Sequence, residues 1–233
     1  MLRVMKPKNL KCPFTWQQRH ACFEDRVLYV PEYYDKHHLW GKIDFASLQY
    51  FGNSRPIHVE FCAGNGLWIL EKALAFPEIN WIAVEMRFDR VRKIWAKIQN
   101  YSLKNLIVVC GKAEDFIDHY VDINTFSHVF VNFPDPWPKD KHAKNRIIKE
   151  PFVKRLSSVC RPDAFATLAT DDETYSKQMI NEMRGYNQWK SCFEDPYFLT
   201  EWSEYGSSYF SDLFKEKGKL LRYMQYLNKK LPL

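Results

Sequence analysis

Hydrophobic positions after residue 55 fall into short, continuous runs that alternate with stretches of helical periodicity. Five of these runs are rich in β-branched and aromatic residues, and they cover residues 57–61, 81–85, 106–110, 128–132 and 164–168. Continuous apolar runs are typical of parallel strands that are covered on both faces, whereas half-exposed strands alternate. The pattern therefore predicts five strand–helix units.

Three of the intervening helices carry clear sequence signals. Between the second and third runs, RFDRVRKIWAKIQNY places its apolar residues on one stripe and its basic residues elsewhere, which is typical of an amphipathic helix. A later helix is predicted to open with Pro151 in its first turn and to stop at Arg161–Pro162. Another is predicted to start after Asp171–Asp172 and to end at Gly185.

These units predict an α/β fold that is Rossmann-like, with a doubly wound, mostly parallel sheet and helices on both faces. Residues 56–233 are predicted to form this domain, and residues 1–55 a basic N-terminal extension that packs on it. Residues 1–23 contain five basic side chains and no acidic one. That composition is compatible with a solvated tail and with a nucleic-acid-binding arm.

Composition narrows the classes of protein that need to be considered. The chain has 233 residues, of which 46% are hydrophobic and 27% are charged, so a large core is expected and wholesale disorder is not. The net charge of +6 favours a polyanionic partner only mildly. No apolar run is long enough to span a membrane, and the N-terminus lacks the apolar segment of a secretory signal. Six cysteines form no C-x-x-C pair, so we expect no metal site and a reducing, cytoplasmic location.

Ligands on doubly wound sheets bind at the carboxyl ends of the strands, so the residues that end each run are the candidate site. The first run ends in EFCAGNG, where Gly64 and Gly66 would let a ligand approach the backbone, although ordinary tight turns also use such glycines. The third glycine of a dinucleotide fingerprint is replaced by Ile69. The second run ends in Glu85, and a carboxylate there can accept both hydroxyls of a ribose. Together with Glu60, these residues favour S-adenosylmethionine, a ribonucleoside that carries a sulfonium and an ammonium.

The fourth run leads into VNFPDPWPKDKHAKNR, in which three prolines surround Asp135 and Trp137. Proline fixes its own φ and biases the preceding residue towards extended geometry, so we expect the backbone of Asp135 to be held before any ligand arrives. Trp137 could stack on a base or pack beneath the turn. The basic residues that follow are candidates for phosphate contacts, with a solvated helix entrance as the alternative: Lys139, Lys141, Lys144 and Arg146.

The stretch FPDPWPKDKHAKNR closely resembles the signature of the bacterial tRNA (guanine-N7-)-methyltransferases of the TrmB type. The resemblance covers residues 56–186 and, more loosely, the C-terminal part. It implies S-adenosylmethionine as the cofactor and N7 of a guanine in the variable loop of tRNA as the methyl acceptor. It also implies roles for matching residues in binding the cofactor (Glu60, Glu85), in both cofactor binding and catalysis (Asp135), and in contacting the tRNA substrate (Lys139, Asp171).

The chain departs from this family's pattern in three places. Cys62 stands where the family has the first glycine of the turn, so we expect that turn to be shaped differently. Lys112 stands where the family has an Asp or Asn, and a lysine cannot accept a hydrogen bond from the adenine. The family's C-terminal Thr-x-x-Glu motif matches poorly. One register places it at residues 208–211, which makes Ser208 a candidate substrate contact, and a second register places it at residues 200–203.

The acceptor chemistry limits what the site must do. N7 of guanine carries an exposed lone pair at neutral pH, so catalysis can rest on positioning and electrostatics without a general base. Asp135 would stabilise the positive charge that appears on the guanine ring. Two other roles remain open for it: holding the cofactor, and hydrogen bonding to the guanine edge as a specificity contact.

Rival functions follow from the same residues. An exocyclic-amine nucleic-acid methyltransferase also has a proline-containing turn after the fourth strand, although in the order Asn/Asp-Pro-Pro-aromatic. A non-catalytic RNA-binding protein on a methyltransferase scaffold is compatible with Cys62 and Lys112, whereas a small-molecule methyltransferase explains neither basic stretch. We expect tRNA as the partner of a monomer or homodimer that needs neither a membrane nor another protein.

Overall fold

A computed structural model of the chain describes residues 4–206 and 209–230, together with the backbone but not the side chains of residues 140 and 209–211. The chain divides into two compact units, Met1–Asp122 and Ile123–Leu233. Each unit contains a β-sheet with helices between its strands, and each contributes one group of candidate site residues.

The first unit alternates strands and helices along the chain. Its elements are β1 (Cys22–Glu24), β2 (Val27–Tyr29), β3 (Ile57–Phe61), α1 (Leu67–Ala75), β4 (Asn80–Glu85), α2 (Phe88–Asn100), β5 (Leu106–Cys110) and α3 (Ala113–Tyr120). The strands lie in the order β1-β2-β5-β4-β3, and all neighbours are parallel except the β1–β2 hairpin. Every residue of β4 is buried, as expected of a parallel strand covered on both faces.

The N-terminal segment is part of the first unit. Asn100 in α2 exchanges hydrogen bonds with the backbone of Met5, at 2.7 Å from N to Oδ1 and 2.9 Å from Nδ2 to O. Arg92 in the same helix donates to the carbonyls of Leu10 and Lys8, and Leu10 is buried. Residues 5–10 of the basic arm are therefore packed on α2, and the alternative of a solvated tail was wrong for that part.

The predicted boundary at residue 55 stays a prediction. The N-terminal extension supplies β1 and β2, and β2 pairs with β5 from Val27 opposite Val108 to Tyr29 opposite Cys110. Neither strand was predicted, because each has three residues and short apolar runs carry no usable periodicity.

The second unit combines parallel and antiparallel pairing. Its elements are β6 (Phe126–Asn132), α4 (Glu150–Val159), β7 (Cys160–Thr170), α5 (Glu173–Gly185), β8 (Trp189–Ser191), α6 (Tyr209–Glu216) and β9 (Arg222–Asn228). The strands lie in the order β6-β7-β9-β8, with β6 and β7 parallel and β9 antiparallel to both of its neighbours. The carboxyl ends of β6 and β7 lie side by side because Asn132 is paired with Ala169.

The five predicted strands and the predicted helices are confirmed, with small shifts at their ends. Pro151 lies in the first turn of α4, and α5 starts after Asp172, whose side chain accepts a hydrogen bond from the Tyr175 amide at 2.7 Å. Helix α4 ends at Val159 and β7 begins at Cys160, so Arg161–Pro162 lies within the strand instead of ending the helix. A shift in the β6–β7 register accommodates the proline, which has no N–H to donate.

Two further features of the structure are the state of the cysteines and the length of the helices. All six cysteines carry free thiols. Within residues 4–206 and 209–230, no helix has the length and apolar character needed to cross a membrane.

Candidate functional site

The turn between β3 and α1 is built on left-handed backbone. Gly64 has a φ of 57°, and Gly66, which caps α1, has a φ of 69°. A Cβ atom on Gly66 would lie 2.5 Å from the Cγ1 atom of Ile94, so only glycine fits between this turn and α2. Cys62 has a φ of 60° and keeps the conformation that glycine adopts without strain. Cys62 therefore adopts a backbone conformation that the family's glycine could also adopt.

Glu85, at the end of β4, accepts a hydrogen bond from this turn. Its Oε2 atom accepts the Gly64 amide at 2.9 Å, and its Oε1 atom accepts the Arg87 amide at the same distance. The Nη1 atom of Arg90 lies 3.6 Å from Oε2, and the Glu85 side chain is only 4% exposed. Each carboxylate oxygen has a second lone pair, so Glu85 can still accept hydrogen bonds from a ligand.

A second buried carboxylate stands on the neighbouring strand. Glu60 in β3 is 2% exposed, and β3 pairs directly with β4. Burial raises the pKa of the Cys62 thiol, and the negative charges of Glu85, Glu114 and Glu60 raise it further. The region beside the glycine turn is therefore electronegative and would attract a cationic ligand.

This raised pKa predicts an unreactive cysteine at the turn. A smaller thiolate fraction slows alkylation, so we expect Cys62 to react with iodoacetamide at pH 8 at least about tenfold more slowly than the exposed Cys12. Mass spectrometry of peptides from a time course measures both rates in one sample. Equal rates would contradict the half-buried, electronegative environment of Cys62.

Lys112, which departs from the family's Asp or Asn, is engaged by the N-terminal extension. Its Nζ atom lies 2.5 Å from Oε1 of Glu32, and this hydrogen bond raises the lysine pKa. The neighbouring Gly111 leaves room for the same segment, because a Cβ there would lie 2.4 Å from the Val30 carbonyl oxygen. The Lys112 side chain therefore helps to anchor residues 30–32.

In the second unit, the Pro-Asp-Pro-Trp segment forms a tight loop directly after β6. The Oδ1 atom of Asp135 accepts the Trp137 amide at 3.0 Å, while the carboxylate remains exposed. Phe133 and Trp137 have φ values of 47° and 44° although each precedes a proline, so the expected extended geometry was wrong for both. Such conformations are costly for bulky residues and persist only where the surroundings hold them.

Arg146 forms several of the contacts that keep this loop in its conformation. Its Nε atom donates to the Pro136 carbonyl at 2.7 Å and its Nη2 atom to the Trp137 carbonyl at 3.4 Å. The guanidinium also donates to Gln178 at 2.6 Å and lies over the Tyr175 ring, 5.1 Å from its centroid. Arg146 is 6% exposed, so the expectation that it contacts tRNA phosphates was wrong.

The other basic residues of this stretch differ from Arg146. Lys139, Lys141 and Lys144 are exposed, as phosphate ligands would need to be. The Trp137 ring is stacked on His142, with centroids 5.8 Å apart and planes 20° apart. Of the two roles considered for Trp137, this contact favours packing within the loop.

Asp171, at the end of β7, is paired with a residue that sequence reasoning missed. The Nζ atom of Lys219 forms an ion pair with Oδ2 of Asp171, whose side chain is 12% exposed. The same Nζ atom lies 4.6 Å from the Phe214 ring, and that ring contacts Phe133 at 5.5 Å between centroids. Residues 214–219 therefore contact the ends of β6 and β7. Ser208 lies outside the described residues.

Comparisons with known proteins agree with this arrangement. A family model described as "Putative methyltransferase" matches residues 54–217. The tRNA (guanine-N(7)-)-methyltransferase of Chlamydia felis is 44% identical, with 97% of this chain and 98% of that protein covered. That of Chlamydia caviae is 41% identical, with 97% and 99% covered. This chain belongs to the tRNA (guanine-N(7)-)-methyltransferase family.

A solved structure supports the fold of this family member. The 16S rRNA methyltransferase KamB aligns with a TM-score of 0.58 at 14% identity, and the alignment covers 81% of this chain and 95% of that one. At this identity the likeness shows the fold alone. It confirms the Rossmann-like fold that the strand–helix pattern predicted.

The candidate residues of this methyltransferase family member fall into two groups. In the first unit, Glu85 is joined to the turn of Gly64 and Gly66, and Glu60 lies on the adjacent strand. In the second unit, the residues that follow the paired strands β6 and β7 are Asp135, Lys139 and Asp171. That Asp135 acts together with Glu60 and Glu85 in one site stays a prediction.

Proposed function

We propose that this protein transfers the methyl group of S-adenosylmethionine to N7 of a guanine in the variable loop of tRNA. The observation that carries the proposal is the exposed carboxylate of Asp135, held by its own Asx turn and by Arg146 beneath the loop. Membership of the family adds the acceptor, because the relatives named above are tRNA (guanine-N(7)-)-methyltransferases.

The residues of the first unit fit the proposed cofactor. The buried carboxylate of Glu85 would accept the ribose hydroxyls, and that of Glu60 would add negative charge for a sulfonium and an ammonium. Gly64, which has a positive φ and no side chain, would let the ligand approach the backbone of the turn, whereas Gly66 makes room for Ile94 of α2. When bound, S-adenosylmethionine supplies an electrophilic methyl group.

Catalysis then depends on orientation and charge. Because N7 of guanine presents a lone pair, no side chain has to remove a proton before the attack. One oxygen of Asp135 is committed to the Trp137 amide, and the carboxylate as a whole keeps its negative charge facing solvent. That charge stabilises the cationic guanine ring as it forms, and it needs little reorganisation because the loop is already held.

The exposed lysines that follow Asp135 bind phosphates of the folded tRNA. Neutralising Lys139, Lys141 and Lys144 together with glutamine should lower the slope of log Kd for tRNA against log salt by about 2 to 3, because each phosphate contact contributes about 0.7 to 0.9. Filter binding from 50 to 300 mM salt measures the slope. Lys190→Gln, an exposed lysine on β8, is the matched control and should leave the slope unchanged. An unchanged slope in the triple variant would exclude these lysines as phosphate contacts.

The reaction itself is tested with labelled S-adenosylmethionine and unmodified tRNA. The proposal expects one equivalent of methyl per tRNA and aniline cleavage at a single guanine in the variable loop. A methylated nucleoside that resists aniline, identified by mass spectrometry as an exocyclic-amine product, would overturn it. Cofactor binding without transfer would instead indicate an RNA-binding protein on a methyltransferase scaffold. We propose that the enzyme acts in the cytoplasm without a protein partner, as a monomer or homodimer.

A further inference from the structure

Two large aromatic side chains stand side by side on the surface of the first unit. Trp16 is 57% exposed and Tyr33 is 74% exposed. Their rings meet edge to face, with centroids 6.3 Å apart and planes 73° apart. Burying large aromatic side chains is strongly stabilising, so an exposed pair in contact is a candidate binding surface.

Arg19 holds this pair together. Its Nε and Nη2 atoms donate to the Tyr33 carbonyl at 3.1 and 2.6 Å, and its Nη1 atom donates to the Trp16 carbonyl at 2.9 Å. The guanidinium carbon also lies 4.5 Å from the centroid of the Trp16 ring. One side chain therefore ties both aromatic residues to one position.

The backbone of Tyr33 contributes to the same arrangement. Its φ of 57° is rare for a bulky side chain and is maintained only where other contacts oppose the strain. Arg19 provides those contacts through two hydrogen bonds to the carbonyl of that residue. The backbone that carries both rings is thus held in place before a ligand arrives.

The charge around the pair suits a polyanion. Residues 1–23 carry no acidic side chain. The Nζ atom of Lys112 lies 5.9 Å from the centroid of the Tyr33 ring, and the same ammonium neutralises the adjacent Glu32. Exposed lysines at positions 6, 8 and 11 lie earlier in the same segment.

The Trp16–Tyr33 pair is connected, through Lys112, to the end of the first unit where we propose that the cofactor binds. Lys112 comes two residues after β5, and the amide of Gly111 donates to the Glu85 carbonyl at 3.2 Å. The pair is therefore linked through Lys112 to the carboxyl ends of β4 and β5. A ligand that covers the rings would lie at the end of the sheet where Glu85 ends its strand.

We propose that the Trp16–Tyr33 pair is an RNA-binding surface on which unpaired bases of the tRNA substrate stack. Aromatic rings stack on any base, and cationic side chains beside them neutralise the neighbouring phosphates. A protein partner would be expected to place its own apolar side chains there, but the cationic side chains of Arg19 and Lys112 at the rings favour a nucleic acid. The inference rests on the proposed function, because it takes tRNA as the substrate.

Two alanine variants test the surface. Trp16→Ala and Tyr33→Ala should each raise the Kd and KM for tRNA about tenfold, while kcat at saturating tRNA and the Kd of S-adenosylmethionine stay unchanged. Trp16→Phe and Tyr33→Phe keep a ring and should restore most of the affinity. Leu48→Ala is the matched control, since Leu48 is apolar and 94% exposed in the same unit.

The outcomes separate this inference from the proposed function. Wild-type protein that methylates tRNA while both alanine variants bind tRNA normally would overturn the RNA-binding surface alone. Wild-type protein that transfers no methyl to tRNA would overturn the proposed function, and loss of tRNA binding in the alanine variants would still support the surface. A change of sedimentation coefficient in the alanine variants without loss of tRNA affinity would show that the pair contacts a second copy, and would overturn the inference.

Discussion

Replacement of Asp135 with asparagine is expected to lower kcat for tRNA methylation by about 100- to 1,000-fold, the usual cost of removing one preorganised electrostatic group. Asparagine keeps the shape of the side chain and keeps an oxygen that can accept the Trp137 amide, so the loop should retain its conformation. Only the negative charge that we propose to lie opposite the developing guanine cation is lost. Single-turnover rates at saturating cofactor and tRNA measure the effect.

The same variant separates the three roles considered for Asp135. A loss confined to kcat supports charge stabilisation, a rise in the Kd of S-adenosylmethionine supports cofactor binding, and a rise in KM for tRNA supports a contact with the guanine edge. Asp44→Asn is a matched control, because Asp44 is also exposed and its Oδ1 atom accepts the amide of Ala46, two residues later. Normal turnover by Asp135→Asn would exclude the charge role.

Replacement of Arg146 with methionine is expected to lower kcat about 100-fold and to destabilise the protein by about 1–3 kcal/mol. The methionine fills the buried space but leaves the carbonyls of Pro136 and Trp137 without their donor, and an unsatisfied buried group costs about that much. Small displacements of a catalytic group are sufficient for large rate losses, so a loosened loop should slow the reaction. Urea unfolding and kcat measured well below the Tm report the two effects separately.

Conservative and control variants show whether Arg146 positions the loop. Arg146→Lys keeps the charge but lacks the planar fork that reaches two carbonyls and Gln178, so an intermediate kcat is expected. Arg184 is also in the second unit and lies over a tyrosine ring, 3.7 Å from the centroid of Tyr197, but it is exposed. Arg184→Met should leave kcat unchanged. Reduced stability with wild-type kcat in Arg146→Met would contradict the positioning role.

Local periodicity was sufficient to predict much of this protein. The five continuous apolar runs became buried strands, and the apolar stripe of the second helix became the buried face of α2. The strand-end candidates Glu85, Gly64 and Gly66 lie together because parallel strands end at one edge of a sheet. The proline-rich signature indicated a rigid loop that presents Asp135. Each of these features follows from a local pattern, or from the general rule that places the ends of parallel strands at one edge.

Contacts between distant residues were decided only by the tertiary structure. Lys112 forms an ion pair with Glu32, and Lys219 forms one with Asp171. Arg146 donates a hydrogen bond to the Pro136 carbonyl, a contact that the sequence did not predict. A basic side chain in a sequence looks the same whether it will meet a phosphate, a carboxylate or a buried carbonyl. Its partner is fixed by which elements pack beside it, and residue periodicity records only which face of an element is buried. For the same reason, the short strands of the N-terminal hairpin and the exposed pair of Trp16 and Tyr33 became visible only once the chain was folded.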